Sequence, residues 1–189
     1  MILAVDVGNS NTTVGLFDQG GKLIFRSTLE TYRNKTRDQC AIDLMGVFQL
    51  YGGKMAQVSG GILSCVVPPL TAVFADAISR LTGKAPLVVG PGIKTGLNIK
   101  AEIHDQLGSD IVASSVAAIA GYQSPIVMID MGTATSLSLI QGSVYEGCMI
   151  MPGLTLALEA MSERAAALPP ISIESPTQLG LLGHTTEEA

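Results

Sequence analysis

One short pattern occurs twice in this chain: an apolar strand ending in Asp-x-Gly, a hydroxyl-rich turn, then a second strand. Asp6-Val7-Gly8-Asn9-Ser10-Asn11-Thr12 is the first copy and Asp130-Met131-Gly132-Thr133-Ala134-Thr135 the second. The two aspartates lie 124 residues apart, far enough for each copy to open its own α/β unit. Asp and Gly are ordinary turn formers, so either copy alone reads as an Asx-type turn without a ligand. Both copies follow a buried strand and lead into a meander, and as a pair they indicate duplication. Such a turn suits phosphate. Gly lets the backbone approach a bulky anion, and turn amides and hydroxyls donate to its oxygens. The Asp can hold a cation, or its water, that offsets the phosphate charge. Two such hairpins facing each other across a cleft would clamp a nucleotide.

The flanking patterns place these hairpins. Residues 2–5, 12–17 and 23–25 read as three antiparallel strands, and residues 36–51 switch to helical spacing before Gly52-Gly53. A strand at 62–66, a helix from Pro68-Pro69 to about residue 81 and a strand at 86–89 finish a first unit by about residue 90. After a Gly-rich connection, Gly108-Ser109-Asp110 caps a helix ending near Gly121. Strands at 126–129, 137–140 and 144–151 follow, then a helix at 154–167 and a tail with no clear period. The expected division is 1–100, a connecting helix region at 101–124, and 125–189.

Composition excludes several function classes. The chain has 189 residues, 47% hydrophobic and only 14% charged, which excludes a charge-dominated disordered chain. Its net charge of −5 argues against a nucleic-acid partner, because a phosphate backbone is recognised by positive charge. Acidity does not exclude a nucleotide held by backbone amides. Cys40, Cys65 and Cys148 are widely spaced and form no CxxC pair, so a zinc site or disulfide framework is not expected. No basic region precedes the first apolar run, and no run approaches the ~18 residues of a membrane span. A soluble intracellular protein is the expectation.

Other patterns carry less. Residues 90–96 nearly match GxGxxG, but the last Gly is displaced by one and no helix follows directly, so a dinucleotide site is not expected. No Gly-Lys is followed by Ser or Thr, so a Walker A loop is absent. Asp110 reads as a helix cap or first-turn acid, worth about 0.5–1 kcal/mol. Its functional reading is a carboxylate that takes a hydroxyl proton in phosphoryl transfer, although spacing alone favours the cap. His104 and His184 read as solvated, Met149 and Met151 as core. Arg33, Lys35 and Arg37 read as a solvated helix entry, with an anionic substrate as the alternative.

In combination these motifs resemble the type III pantothenate kinases, within the superfamily of acetate and sugar kinases, heat-shock 70 proteins and actin. The resemblance runs through residues 6–10, 64–68, 91–97, 108–110 and 130–135, then Pro152-Gly153 and Arg164 before Leu168-Pro169. It implies duplicated ribonuclease H-like, actin-like ATPase units with mixed sheets. It implies that Asp6, Val7, Gly8, Asn9, Ser10, Asn11, Thr12 and Thr13 form the first ATP-phosphate loop, with Gly132 and Thr133 in the second. Magnesium would arrive with ATP, and Asp130 would ligate a monovalent cation, K+ or NH4+. Asp110 would deprotonate the primary alcohol of pantothenate. Gly108, Ser109, Asp110 and Ile111 would line the pantothenate pocket, and Thr186 would touch substrate near a homodimer interface. The implied activity is formation of 4′-phosphopantothenate in the cytoplasm, the first step toward coenzyme A, with no nucleic-acid or membrane partner. A non-catalytic nucleotide-binding or regulatory homologue, or a superfamily kinase for another alcohol, stays open beside it.

Two departures from the family pattern stand out. The motif Gly-x-Asp-Arg has Ile111 in its last place, removing a cation expected at the pantothenate carboxylate unless Lys94, Lys100 or Arg33 supplies one. Only 60 residues run from Asp130 to Ala189, so the second unit is expected to be incomplete. Its last strand should then offer an unpaired edge and its helix should leave apolar surface uncovered. Thr185-Thr186-Glu187-Glu188 reads as the capped start of another helix.

Overall fold

A computed structural model describes residues 1–90, 93–100 and 107–165. Its first sheet begins with the expected meander, β1 (Ile2–Val7), β2 (Asn11–Phe17) and β3 (Leu23–Glu30). Helix α1 (Arg37–Leu50) starts in a capping box, in which the Thr36 hydroxyl accepts from the Gln39 N–H and the Gln39 side chain accepts from the Thr36 N–H. A short 3-10 turn leads to β4 (Gly60–Cys65), and α2 (Pro68–Thr82) follows with Pro in its first turn, where a missing N–H costs nothing. Gly83, with φ 72°, ends α2 in the left-handed conformation that other residues resist. β5 (Leu87–Val88) completes a five-stranded sheet in the order β3-β2-β1-β4-β5, antiparallel in the meander and parallel across β1-β4-β5.

Alternation along these strands divides the sheet into two different faces. Leu3, Val5, Val7, Val14, Leu16 and Leu63 are buried on one face, together with Cys40, Leu44 and Phe48 of α1 and Leu70, Phe74 and Ile78 of α2. Phe25 extends that core, meeting the Phe48 ring edge-on at 5.3 Å and stacking on Tyr51 at 4.8 Å. The opposite face carries Ala4, Asp6, Thr13 and Ser64, and α3 (Ser109–Gly121) lies over it.

The second sheet holds β6 (Asn98–Ile99), β7 (Ile126–Met131), β8 (Ala134–Gln141) and β9 (Val144–Pro152), in the order β6-β9-β8-β7. Strands β7, β8 and β9 repeat the antiparallel meander of β1, β2 and β3, and α4 (Leu154–Arg164) follows. The mixed-sheet α/β architecture expected from the sequence is present.

Several boundaries moved for physical reasons. β3 runs five residues past Phe25, because only alternate residues of the strand need burial in the main core, and Arg26 and Thr28 fall on the face opposite Phe25. β6 was unforeseen, since two residues in a Gly-rich connection become a strand only by pairing with Val144 and Tyr145. The expected unpaired edge on the last strand holds in part. β6 covers the outer flank of β9 only at Val144 and Tyr145, the rest of that flank has no strand partner among the described residues, and β7 is a second open edge. The uncovered helix surface is there, with Leu154, Leu156 and Met161 all exposed. Residues 166–189, including Leu168, Pro169, His184 and Thr186, lie outside the described residues, as do Pro91, Gly92 and His104.

Candidate active site between two facing hairpins

The two Asp-x-Gly turns meet. The Ser10 and Thr133 hydroxyls are hydrogen-bonded at 2.7 Å, across 123 residues of sequence. The first turn is closed by the Gly8 N–H donating to the Asn11 carbonyl at 2.9 Å, and Thr31, just after β3, braces it by donating its N–H to the Ser10 carbonyl. In the second turn the Gly132 N–H donates to the Ala134 carbonyl at 3.1 Å, and the Gly153 N–H reaches back to the Thr133 carbonyl at 3.0 Å. Each turn therefore holds its shape through backbone bonds and leaves its hydroxyls at the junction.

Not every residue of the first loop can touch a ligand. Val7 is fully buried, and Thr12 is 1% exposed with its hydroxyl bonded to Thr31 at 2.8 Å, so these two side chains are structural. Asn9 is open, and its Oδ1 accepts from Arg33 Nη2 at 3.3 Å, placing a cation beside the first turn. Lys35 and Arg37, the other cations of that stretch, pair with Asp43 and Asp76 instead.

A third element arrives from the connection. Ser109 Oγ accepts from the Cys65 N–H at 3.0 Å and bonds Ser64 Oγ at 3.1 Å, tying the start of α3 to the end of β4. Ser64 is the register partner of Asp6 on β1, so this clasp sets Asp110 beside Asp6. Gly108, the N-cap, offers no side-chain cap. A Cβ there would come within 2.4 Å of Asp110 Oδ1, so Gly at 108 is what lets the carboxylate keep its place. That oxygen accepts from the Ile111 N–H at 2.7 Å. Asp110 thus sits in the first turn of α3 without capping it.

Asp6 registers the crowding. Its carboxyl is raised above the ordinary carboxylate range, chiefly by burial against the sheet, with Asp110 and Asp130 adding repulsion and a Ser64 hydrogen bond opposing. The folded-state value exceeds the unfolded one, so the folded state keeps the proton over that interval. Stability then falls as pH rises from the ordinary carboxylate value through the raised one, and is level above it. Asp6→Asn is expected to abolish that fall and to melt higher than wild type at neutral pH. A melting-versus-pH profile identical to wild type would refute the electrostatic account.

On the same face of the first sheet, a cavity of about 360 Å³ runs beneath α3. Asp110, Ala113, Ser114 and Ala117 form its roof at helical spacing, and Ala4, Gly15 and Phe17 are among the residues of its floor. Asp6 and Asp110 stand together in its wall. Ile111 is not among the lining residues, being rotated off that stripe. Chemically, the arrangement can hold an anion at the facing turns and present a carboxylate to a neutral chain lying in the cavity. Arg33, Ser64, Thr31 and Gly153 support the site without having been assigned roles from sequence; Arg33 alone had been weighed as a possible anion contact.

Four likenesses were found. A family profile described as type III pantothenate kinase matches residues 2–189. The type III pantothenate kinase of Listeria monocytogenes is 38% identical over 187 residues, covering 98% of this chain and 71% of its own. That of Brevibacillus brevis is 39% identical over 180 residues, covering 95% and 70%. Among solved structures, a protein from Campylobacter jejuni assigned to the Baf family of transcriptional activators superposes with TM-score 0.56 at 19% identity, over 98% of this chain and 70% of that one. The last likeness carries fold alone.

Proposed function

The chain belongs to the type III pantothenate kinase family, and on that premise we propose that it transfers the γ-phosphoryl group of ATP to the primary alcohol of pantothenate. The product is 4′-phosphopantothenate, the first intermediate toward coenzyme A. The observation that carries this reading is the Ser10–Thr133 contact, which unites two phosphate-type turns above a cavity walled by Asp6 and Asp110.

In this reading Gly8, Asn9, Ser10, Asn11 and Thr13 of the first turn and Gly132 and Thr133 of the second hold the phosphates through amides and hydroxyls. Asp110 accepts the proton of the primary alcohol as its oxygen bonds the γ-phosphorus and the bond to the ADP oxygen breaks. Catalysis rests on alignment and charge neutralisation rather than on covalent chemistry. Magnesium and a monovalent cation, K+ or NH4+, would neutralise the negative charge that triphosphate adds to this acidic site.

The residues present suit the monovalent ion. Asp130 faces Ser136 across β7 and β8, and the buried Ser136 Oγ has no hydrogen-bond partner among the described residues. A carboxylate next to an unpartnered hydroxyl oxygen is the donor set a hard cation takes. On the resemblance we assign Gly108, Ser109, Asp110 and Ile111 to the pantothenate end, of which Asp110 alone lines the cavity, and Thr186 lies outside the described residues. The unit boundaries at 100 and 124 belong to the same reading, as does a cytoplasmic homodimer. Val127, Ile129, Leu139 and Met149, exposed together on one face of the second sheet, offer apolar surface for a subunit contact, although Met149 was expected in the core. Among the described residues no helix is long and apolar enough to cross a membrane.

A coupled ADP-release assay with pantothenate, ATP, magnesium and potassium tests the proposal. Pantothenate-dependent ADP release, faster in potassium than in sodium, is expected. Nucleotide binding with no pantothenate-dependent turnover would assign the chain to a non-catalytic role.

A further inference from the structure

The cavity under α3 has a second end. Arg26 of β3 lines it, opposite the wall formed by Asp6 and Asp110. Arg26 faces this side because it pairs with Gly15, which also lines the cavity, and the register shift between Leu16 and Phe17 brings Leu23 to the same face. Among the described residues, Arg26 is the only Lys or Arg of the lining. Its charge is also uncommitted. The ion pairs among the described residues engage Lys35, Arg37, Arg80 and Lys100, and Arg26 makes neither an ion pair nor a side-chain hydrogen bond there.

Resting on the pantothenate kinase reading above, we propose that Arg26 binds the substrate carboxylate and so supplies the cation that Ile111 cannot. Pantothenate is an amphiphile with a reacting hydroxyl at one end, a carboxylate at the other and a gem-dimethyl group between. Its ends lie roughly 10 Å apart when extended, about eight bonds advancing about 1.25 Å each. The cavity matches that order of chemistry. Asp110 meets the hydroxyl, the small side chains of Ala4, Gly15, Ala113 and Ala117 make room for the branched carbon chain, and Arg26 closes the far end.

Strand register gives the span. Arg26 lies opposite Gly15, which lies opposite Ala4, two residues along β1 from Asp6. With about 4.8 Å between strands and about 3.3 Å per residue, the backbone positions of Arg26 and Asp6 are roughly 12 Å apart. The flexible arginine side chain bridges the remainder, and its planar fork pairs a carboxylate with two parallel hydrogen bonds. The other cations weighed for this role are placed elsewhere. Arg33 bonds Asn9 at the phosphate turn, Lys100 contacts Glu146, and Lys94 is absent from the lining.

The test compares pantothenate with pantothenol, in which the carboxylate is replaced by a primary alcohol, on wild type, Arg26→Gln and Arg26→Lys. Wild type should show a KM for pantothenate about ten- to a hundredfold below that for pantothenol, the range of a charge-assisted hydrogen bond. Arg26→Gln should raise KM for pantothenate by the same factor, leave KM for ATP unchanged and abolish the discrimination. Arg26→Lys should restore part of it. Equal KM values for the two substrates on wild type, a comparison that involves no variant, would overturn the carboxylate contact. So would an Arg26→Gln enzyme that still discriminates. Either result leaves the kinase reading standing, whereas wild type that neither binds nor turns over pantothenate overturns both.

Discussion

Asp110→Asn is expected to lower kcat by about 10²–10⁴, the usual contribution of a general base, with ATP affinity nearly unchanged. The amide keeps the shape of the carboxylate, and its oxygen can still accept from the Ile111 N–H, so the local hydrogen bond at the start of α3 survives. What disappears is the negative charge. Losing an acid from a first helical turn costs about 0.3–1 kcal/mol, too little to unfold a chain whose main core lies on the other face of the sheet. Turnover, nucleotide affinity and melting temperature therefore separate the two readings of this residue. If Asp110 served only the helix dipole, the melting temperature would drop slightly and kcat would stay within a few-fold of wild type. If it is the base, kcat collapses and the other two barely move.

The features legible in the sequence were those set by local chemistry. Asp-x-Gly dictates a turn wherever it follows a strand, so both hairpins were readable, and their separation implied that each opened its own unit. Gly52-Gly53 after α1 and Pro68 at the start of α2 marked helix ends for equally local reasons, whereas the Thr36–Gln39 capping box and Gly83 came from the structure. Pairing over distance was not legible. That Ser10 meets Thr133 is a tertiary fact which the repeat only suggested. β6 exists because of β9, and it closes only the first two residues of that strand's outer flank. Arg26 was missed for a related reason. The apolar run stops at Phe25, and only pairing with Gly15 carries the strand onward and turns an arginine toward the cavity. The absent cation at position 111 was readable, because it is a departure from a local motif. Its replacement lies 85 positions earlier, on another element, where no spacing rule could link the two.

Gly153→Ala is expected to disable the second phosphate turn, and the reason is space rather than backbone conformation. Gly153 has φ −67°, which any residue adopts, and it precedes α4 as an N-cap. A Cβ at this position would lie 2.1 Å from the Gly132 carbonyl oxygen and 2.7 Å from that of Thr133. Both are backbone atoms, so no side-chain rotation relieves the clash, and either the turn or the start of α4 must move. Overpacking of this kind costs about 1–3 kcal/mol and occasionally more. The functional loss should exceed the loss of stability. Displacing Thr133 by about an ångström misaligns the phosphates, and a misplacement of that size can cost about 10²-fold in rate. kcat/KM for ATP should fall by about that factor. Gly46→Ala is the control, because Gly46 lies inside α1 with nothing within 4 Å of its added Cβ. That change should raise stability by about 0.5–1 kcal/mol and leave kinetics alone, since alanine is the better helix former. A Gly153→Ala enzyme with wild-type kcat/KM for ATP would mean that the turn at Gly132 and Thr133 does not hold the nucleotide.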